Sequence, residues 1–336
     1  MYALEFAGED DRFAAAEAAS AATGIEVVAP GLATASTVTD RVRNLAYTHR
    51  ASELVGRTDA SVGSARALLE AAEVGREGRE DDDAATTIAV RARDVRNLAD
   101  VDTRRAERAL GQVLVDRGFA VDLDDPDREL RAIFSEDTCL VGWLEAESVR
   151  DYGTRKPTDR PFFQPGGMDP LLARALVNLA GARPGATLLD PMCGTGGVLV
   201  EAGLVGATVY GADAQRKMVR GAGENLAECL DADPRATGEW VTLQGDATHL
   251  PFPDDSLDAV VFDAPYGRQS KIANLDLDDL VAGALAEARR VADRAVVVGD
   301  RSWAETAREQ EWTVENEFER RVHRSLDRHV AVLSAG

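Results

Sequence analysis

The stretch best equipped for chemistry is Val260-Val-Phe-Asp263-Ala264-Pro265-Tyr266-Gly267. An apolar run that reads as a buried strand ends in a carboxylate. The carbonyl of Ala264 follows, ahead of Pro265, and then the ring of Tyr266. Together these groups suit an amino group carried on an aromatic ring. Such an amine donates its lone pair into the ring and is a poor nucleophile. If its two N–H groups bond to the Asp263 carboxylate and the Ala264 carbonyl, the lone pair is redirected outward. Positioning and electrostatics then do most of the catalysis. Tyr266 can stack on the ring that bears the amine. The plainer reading is a Pro-Tyr-Gly turn after a buried strand.

A second stretch, Thr187-Leu-Leu-Asp190-Pro-Met-Cys193-Gly194-Thr195-Gly196-Gly197, is a strand running into a glycine-rich turn with a helix directly behind it. Glycines let the backbone approach a ligand, and the helix start offers free N–H groups. Dinucleotide-binding dehydrogenases use similar turns, so the turn alone says little. The acids nearby say more. Asp190 precedes the turn, where a carboxylate can help hold the charged amino-acid end of a cofactor. Asp213 ends the next strand, about 20 residues past the turn, where an acid can accept both hydroxyls of a ribose. Gly245-Asp246-Ala247 ends a third strand, where a carboxylate can accept from an adenine amino group. The expected cofactor contacts are Asp190, Cys193, Gly194, Thr195, Gly196, Asp213, Asp246 and Ala247. The alternative, that these aspartates merely cap the helices that follow, suits any one of them better than all three together.

The elements that must position these residues form a regular series. Strands are expected at 187–190, 208–212, 239–244, 257–262 and 294–299, with helical stretches at 197–205, 215–230 and 277–292. This alternation implies a parallel sheet covered on both faces. Residues 313–324 and 326–333 are joined too tightly for a crossover helix and pair as an antiparallel hairpin. The pattern resembles the Rossmann-like, seven-stranded sheet of class I methyltransferases, which implies S-adenosylmethionine as cofactor.

Upstream, residues 1–65 read as a small α/β unit, with strands at 2–6 and 25–28 around an Ala-rich helix at 10–22. Residues 66–147 read as a second unit. A helix near 65–72 precedes the polar run from Glu77 to Asp83, then the β-rich Thr86-Thr-Ile-Ala-Val-Arg-Ala-Arg, a helix at 103–118 and a strand at 140–144. Residues 148–168, dense in proline and glycine, read as a linker. Asp169-Pro170 then offers an N-cap and an N1 proline for a helix ending near Gly181, at the start of the 169–336 domain.

With 336 residues and 45% hydrophobic content, the chain can fill more than one core. No run approaches the roughly 18 apolar residues of a spanning helix, and the N-terminus turns acidic too early for a signal peptide. Three scattered cysteines, Cys139, Cys193 and Cys229, argue against a disulfide framework or a Cys-rich zinc site. A cytoplasmic monomer without metal or membrane contact is expected. The formal net charge is −21, and the only lysines are Lys156, Lys217 and Lys271. Such a balance fits a halophilic cytoplasm, where at about 1 M salt the Debye length is only about 3 Å and net charge hardly steers a partner. It equally fits an ordinary acidic protein that never meets nucleic acid.

Asp263 to Gly267 resembles the Asp/Asn-Pro-Pro-Tyr/Phe signature of methyltransferases that modify exocyclic amines, with Ala264 where proline is usual. Pro161-Phe-Phe-Gln-Pro-Gly-Gly-Met-Asp-Pro, Asp190 to Gly203, Val209-Tyr-Gly-Ala-Asp213, Thr248-His-Leu-Pro-Phe and His323-Arg-Ser-Leu-Asp-Arg-His resemble the archaeal tRNA guanine-10 N2-dimethyltransferases. Residues 87–97 resemble part of a THUMP domain. The resemblance implies a ferredoxin-like domain at 1–65, a THUMP domain at 66–147, tRNA as partner, and Asp263, Ala264, Pro265 and Tyr266 as the catalytic group. Arg91, Arg93 and Arg96, with Arg155, Lys156 and Arg160 in the linker, are the expected RNA contacts. An arginine face paired with its own acidic neighbours is the competing reading. An N2-methyltransferase for another tRNA or rRNA guanine, a nucleotide-dependent oxidoreductase and a silent RNA-binding module are the competing functions. The intact acids and the strand-four motif argue against the last two.

Overall fold

The computed structural model describes residues 1–74, 85–266, 277–323 and 326–336; the polar run at 77–83, Gly267 and Arg324 lie outside the described residues. The chain divides into two compact units, Met1–Val149 and Arg150–Gly336.

The first unit runs β1 (Tyr2–Phe6), α1 (Asp11–Ala18), β2 (Ala22–Thr23), β3 (Glu26–Ala29), β4 (Leu32–Ala35), β5 (Thr37–Val38) and β6 (Thr48–Asp59). It continues through α2 (Val62–Ala71), β7 (Thr87–Asp94), α3 (Thr103–Asp116), β8 (Ala120–Val121), β9 (Arg128–Ser135) and β10 (Thr138–Glu147). Helix α1 starts where the Asp10 carboxylate accepts from Phe13 N at 3.0 Å. It stops short of the expected Ala22, because Ala22 and Thr23 pair with β5 instead. Eight strands form one sheet in the order β3-β4-β1-β6-β10-β9-β7-β8. Strand β10 runs antiparallel to both β6 and β9. The expected division at 65/66 therefore falls inside α2, within a unit built on one continuous sheet. Leu69 of α2 and Leu110 and Leu114 of α3 pack with Ile88, Leu130 and Phe134 of the strands in a shared core.

The second unit runs α4 (Pro170–Leu179), β11 (Thr187–Asp190), α5 (Gly197–Leu204), β12 (Thr208–Asp213), α6 (Arg216–Leu230) and β13 (Trp240–Gln244). After these come β14 (Ala259–Asp263), α7 (Leu277–Val291), β15 (Arg294–Gly299), α8 (Ala304–Glu309), β16 (Trp312–His323) and β17 (Leu326–Ala335). The sheet order is β13-β12-β11-β14-β15-β17-β16. The first five strands are parallel, and β17 runs antiparallel to β15 and β16. This is the doubly wound sheet with a reversed strand expected from the sequence; only the short α8 was not anticipated. Strand order reverses between β11 and β14, where the carboxyl edge of such a sheet opens a crevice for ligands. Val281, Ala284, Leu285 and Ala288 of α7 recur at helical spacing and pack with Val260 and Phe262 of β14.

The residues expected as a linker belong, from Arg150 onward, to this second unit, with short 3-10 turns at Tyr152–Arg155 and Pro157–Asp159. Among the described residues no helix is long and apolar enough to cross a membrane, and no group of three His, Cys, Asp or Glu side chains is placed to hold a metal ion.

Candidate active site

Three loops at the carboxyl edge of the second sheet are ordered in the same way. Asp190 Oδ1 accepts from Met192 N at 3.0 Å, Asp213 Oδ1 from Gln215 N at 2.8 Å, and Asp246 Oδ1 from Thr248 N at 2.9 Å. In each case a carboxylate closes a turn on the amide two residues ahead. The second oxygen of Asp213 accepts from Gly194 N at 3.1 Å, which ties the end of β12 to the glycine turn. The three differ in exposure. Asp190 is 2% exposed, whereas the Asp246 side chain is 57% exposed.

Burial, reinforced by the charges of Asp213 and Asp263, pushes the Asp190 carboxyl well above the usual carboxylate range. Burial also raises Asp213, against the pull of its two backbone amides. Asp246 moves the other way, held low chiefly by the Thr248 amide. Crowded buried carboxylates favour a cationic ligand, which would relieve both their repulsion and their lost solvation.

The turn itself leaves room. Gly194 and Gly196 adopt left-handed backbone, with φ of 51° and 77°. A Cβ at Gly194 would meet nothing within 4 Å. Gly196 is the N-cap of α5 and supplies no side-chain bond, so the first amides of that helix are available to an anionic group. Cys193 serves the loop rather than the open side of it. Its N–H donates to Ala212 O at 2.9 Å, and its side chain is buried against Gly211. The Thr195 carbonyl accepts from Asn225 Nδ2 at 2.9 Å, and Ala247 packs in the core beneath the end of the third strand.

At the end of β14 the Asp263 side chain is 21% exposed. Its Oδ1 accepts from the Tyr266 hydroxyl at 2.7 Å. Arg328 Nε donates to that same hydroxyl at 3.0 Å, and Arg328 Nη2 lies 3.5 Å from Asp263 Oδ2. Burial raises the Asp263 pKa, while the Arg328 charge and the Tyr266 hydrogen bond pull it down. Ala264 is buried, and its N–H donates to Val298 O at 2.8 Å, continuing the β14–β15 ladder. Pro265 and Tyr266 are half-buried. The arrangement presents an oriented acceptor beside the glycine turn, on the same sheet edge.

Residues 157–329 match the RMKL-like methyltransferase-domain family. The tRNA (guanine(10)-N2)-dimethyltransferase of Methanothermobacter thermautotrophicus is 34% identical over 301 residues, covering 87% of this chain and 83% of its own. The enzyme of the same name from Pyrococcus abyssi is 31% identical over 254 residues, 74% of each chain. The chain belongs to the tRNA (guanine(10)-N2)-dimethyltransferase family. The crystal structure of TrmN from Thermus thermophilus is similar in fold, with a TM-score of 0.50 and 23% identity over 100% of both chains.

Two of the residues expected to reach RNA are buried. Arg155 and Arg160 are 6% and 5% exposed. Arg155 donates through Nε and Nη2 to the two oxygens of Glu201, at 2.6 and 3.1 Å, and also pairs with Asp151. Arg160 Nε donates to the Arg155 carbonyl at 3.0 Å, and its guanidinium lies against Gly197 at the foot of the cofactor helix. The Arg155 guanidinium, closed over the buried Glu201 carboxylate, braces the fold. Lys156 between them is exposed. Asn225, not anticipated, receives Phe162 N at 2.8 Å and donates to Phe162 O at 2.9 Å, joining this segment to the glycine turn. Phe162 itself packs on Gly221 of α6, and Phe163 is 45% exposed. The sequence marks Glu201 as the one charge in the otherwise apolar Gly197–Leu204 helix.

In the first unit, Arg91 donates to Leu123 O, Arg93 pairs with Glu5, and Arg96 pairs with Asp11. Glu5 is fully buried and also receives Arg131 at 3.0 Å. Arg104, Arg105 and Arg108 stand exposed on α3.

Proposed function

We propose that this protein transfers methyl groups from S-adenosylmethionine to the exocyclic N2 amine of guanine in tRNA. The target nucleotide is guanosine 10, and the products are N2-methyl- and N2,N2-dimethylguanosine. The observation that carries the chemistry is Asp263, held by Tyr266 and Arg328 at the end of β14 beside the glycine turn.

The residues fit the cofactor. The open left-handed turn at Gly194 admits a ligand against the backbone. The uncapped start of α5 suits a carboxylate, Asp190 suits an ammonium, and Asp213 suits a ribose. Asp246, exposed on the third loop, suits an adenine amino group. When bound, the cofactor supplies an electrophilic methyl group on a sulfonium. The Asp263 carboxylate and the Ala264 carbonyl accept the two N–H groups of the guanine amine and turn its lone pair toward that methyl. The Tyr266 ring stacks on the base, which must leave its helix to reach the site. Each transfer would form an N–C bond as the S–C bond breaks, leaving a neutral thioether. The proton then lost from the nitrogen would pass to the Asp263 carboxylate or to water. For the second methylation one N–H remains, so a single acceptor suffices.

The first unit captures the tRNA in this reading, with a ferredoxin-like part at 1–65 and a THUMP part at 66–147. Arg91, Arg93 and Arg96 contribute from partly exposed positions already ordered by acids, and Lys156 contributes from the second unit. A halophilic setting would explain how so acidic a chain binds RNA, because screening removes the long-range repulsion and leaves local contacts. The test is to incubate the protein with labelled S-adenosylmethionine and unmodified tRNA and to map the label. Label at N2 of guanosine 10 is expected. Label at N2 of a different guanine would keep the chemistry and overturn the position.

A further inference from the structure

Arg328 reaches the chemistry from an unexpected direction. It lies on β17, and β15 separates that strand from β14 in the sheet. The last β15–β17 pair is Gly299 with His329, so Arg328 sits one residue past the ladder, level with the strand ends that form the site. It is 4% exposed. From there Nε donates to the Tyr266 hydroxyl at 3.0 Å, and that hydroxyl donates to Asp263 Oδ1 at 2.7 Å. Asp263 Oδ2 has a longer contact with Nη2, at 3.5 Å.

We propose that Arg328 is a positioning residue for methyl transfer, fixing the Asp263 carboxylate through the Tyr266 hydroxyl so that Oδ1 is engaged and Oδ2 accepts the target amine. This rests on reading Asp263 as the acceptor. The physical need is plain. The terminal torsion of an aspartate is broad and nearly two-fold, so an untethered carboxylate presents either oxygen over a wide arc. A hydroxyl on one oxygen removes that freedom. The hydroxyl is itself held only if something donates to it, and the guanidinium fork can do so while keeping its charge near the second oxygen.

The charge does separate work. Among the described residues, the groups facing Asp263 are Tyr266 on its own turn, Arg328 from β17 and Asp300 just past β15, while Asp190 at the end of β11 senses the Asp263 charge. Burial and Asp300 favour the protonated carboxyl; Arg328 and Tyr266 favour the ionised one. A protonated Asp263 would place a donor where the amine needs an acceptor. Removing the cation therefore raises the Asp263 pKa further and moves the acid limb of the rate to higher pH.

The full-length protein is assayed in single turnover with labelled S-adenosylmethionine and unmodified tRNA across the acid-to-neutral range. Arg328→Met should lower the rate constant by about 10²-fold, as small misplacements of reacting groups do. It should also shift the acid limb upward and leave cofactor affinity by calorimetry unchanged. Arg328→Lys should restore the acid limb but only part of the rate, because charge returns without the fork. Tyr266→Phe keeps the ring and removes the relay; it should slow transfer and make Arg328→Lys no worse in the double variant. A wild-type rate and acid limb in Arg328→Met would overturn the proposal. If that variant does not fold, a wild-type rate in Tyr266→Phe would overturn it instead. Asp263→Ala is run alongside. If it is inactive while both other variants are normal, only the positioning role falls; if it is fully active, the reading of the site falls with it.

Discussion

Both units are acidic overall, but they set charge at their candidate functional residues in different ways. In the second unit the acids at the site are few and set at strand ends; Asp190, Asp213 and Asp246 are each fixed by a backbone amide, and Asp263 by Tyr266 and Arg328. In the first unit the candidate residues are basic, partly exposed and already matched by acids such as Glu5 and Asp11. A site built from placed acceptors depends on single atoms, so one substitution should disable it. A surface built from paired arginines is graded, and only its removal as a whole should show a large effect.

That contrast sets the largest expected effect. Removing residues 1–147 should leave a protein that binds cofactor normally but scarcely methylates tRNA, since the second unit has its own core and the cofactor loop lies wholly within it. Calorimetry with S-adenosylmethionine and a tRNA methylation assay check the two halves of the claim. Full activity of the truncated protein would break the division of labour.

Within the second unit, Asp263→Ala should leave cofactor and tRNA binding nearly intact while methylation falls by about 10²–10³-fold, the usual loss for an oriented electrostatic partner. Asp263→Asn sharpens this. Its amide oxygen can still accept, so a milder loss would favour orientation, and a loss equal to alanine would favour the charge or its basicity. Wild-type methylation by Asp263→Ala would end the proposed mechanism.

The contrast also explains what could be read from the sequence. The second sheet was legible strand by strand, because buried parallel strands are short apolar runs punctuated by glycine and aspartate. In the first unit β1, β3, β7 and part of β10 were legible, but β6 and β9 were not. β6 mixes Arg50, Glu53, Arg57 and Asp59 along one strand, and β9 carries Arg128, Glu129 and Arg131. Neither shows the alternation that marks a strand, because charged side chains fall on both faces; Arg50 and Arg131 both reach Glu5. The same difficulty hid the fate of Arg155 and Arg160. A proline-rich segment with four cations reads as a free basic linker, and nothing local announces that Glu201, far along the chain, holds one of them. Arg328 gave no signal from spacing, because its partners sit two strands away across the sheet.

Asp213 tests how far a carboxylate can be both scaffold and ligand. It holds Gly194 N and Gln215 N, and it is the proposed ribose acceptor. Asp213→Ala should weaken S-adenosylmethionine binding by about tenfold or more, since each lost hydrogen bond is worth about 0.5–1.5 kcal/mol and several are lost together. Asp246→Ala should cost less, because that side chain is mostly in water. Unchanged affinity in Asp213→Ala would remove it from the cofactor site.

The smallest effect belongs to the position where this chain departs from its signature. Ala264 N donates to Val298 O at 2.8 Å, inside the sheet. Ala264→Pro removes that donor and leaves a carbonyl between β14 and β15 without its partner, at a cost of about 1–3 kcal/mol. The proline ring offsets about 0.4–1 kcal/mol by restricting the unfolded chain. The balance is a net loss on the order of 1 kcal/mol, read as a lower midpoint in denaturant. Activity should change little, because the carbonyl that accepts the amine is kept and residue 263, at a strand end, already has the extended backbone that precedes proline. The sign of the stability change is the decisive readout. If the proline variant were the more stable, the bond to Val298 would contribute little, and alanine here would be a relaxation of the motif rather than a substitute for its rigidity.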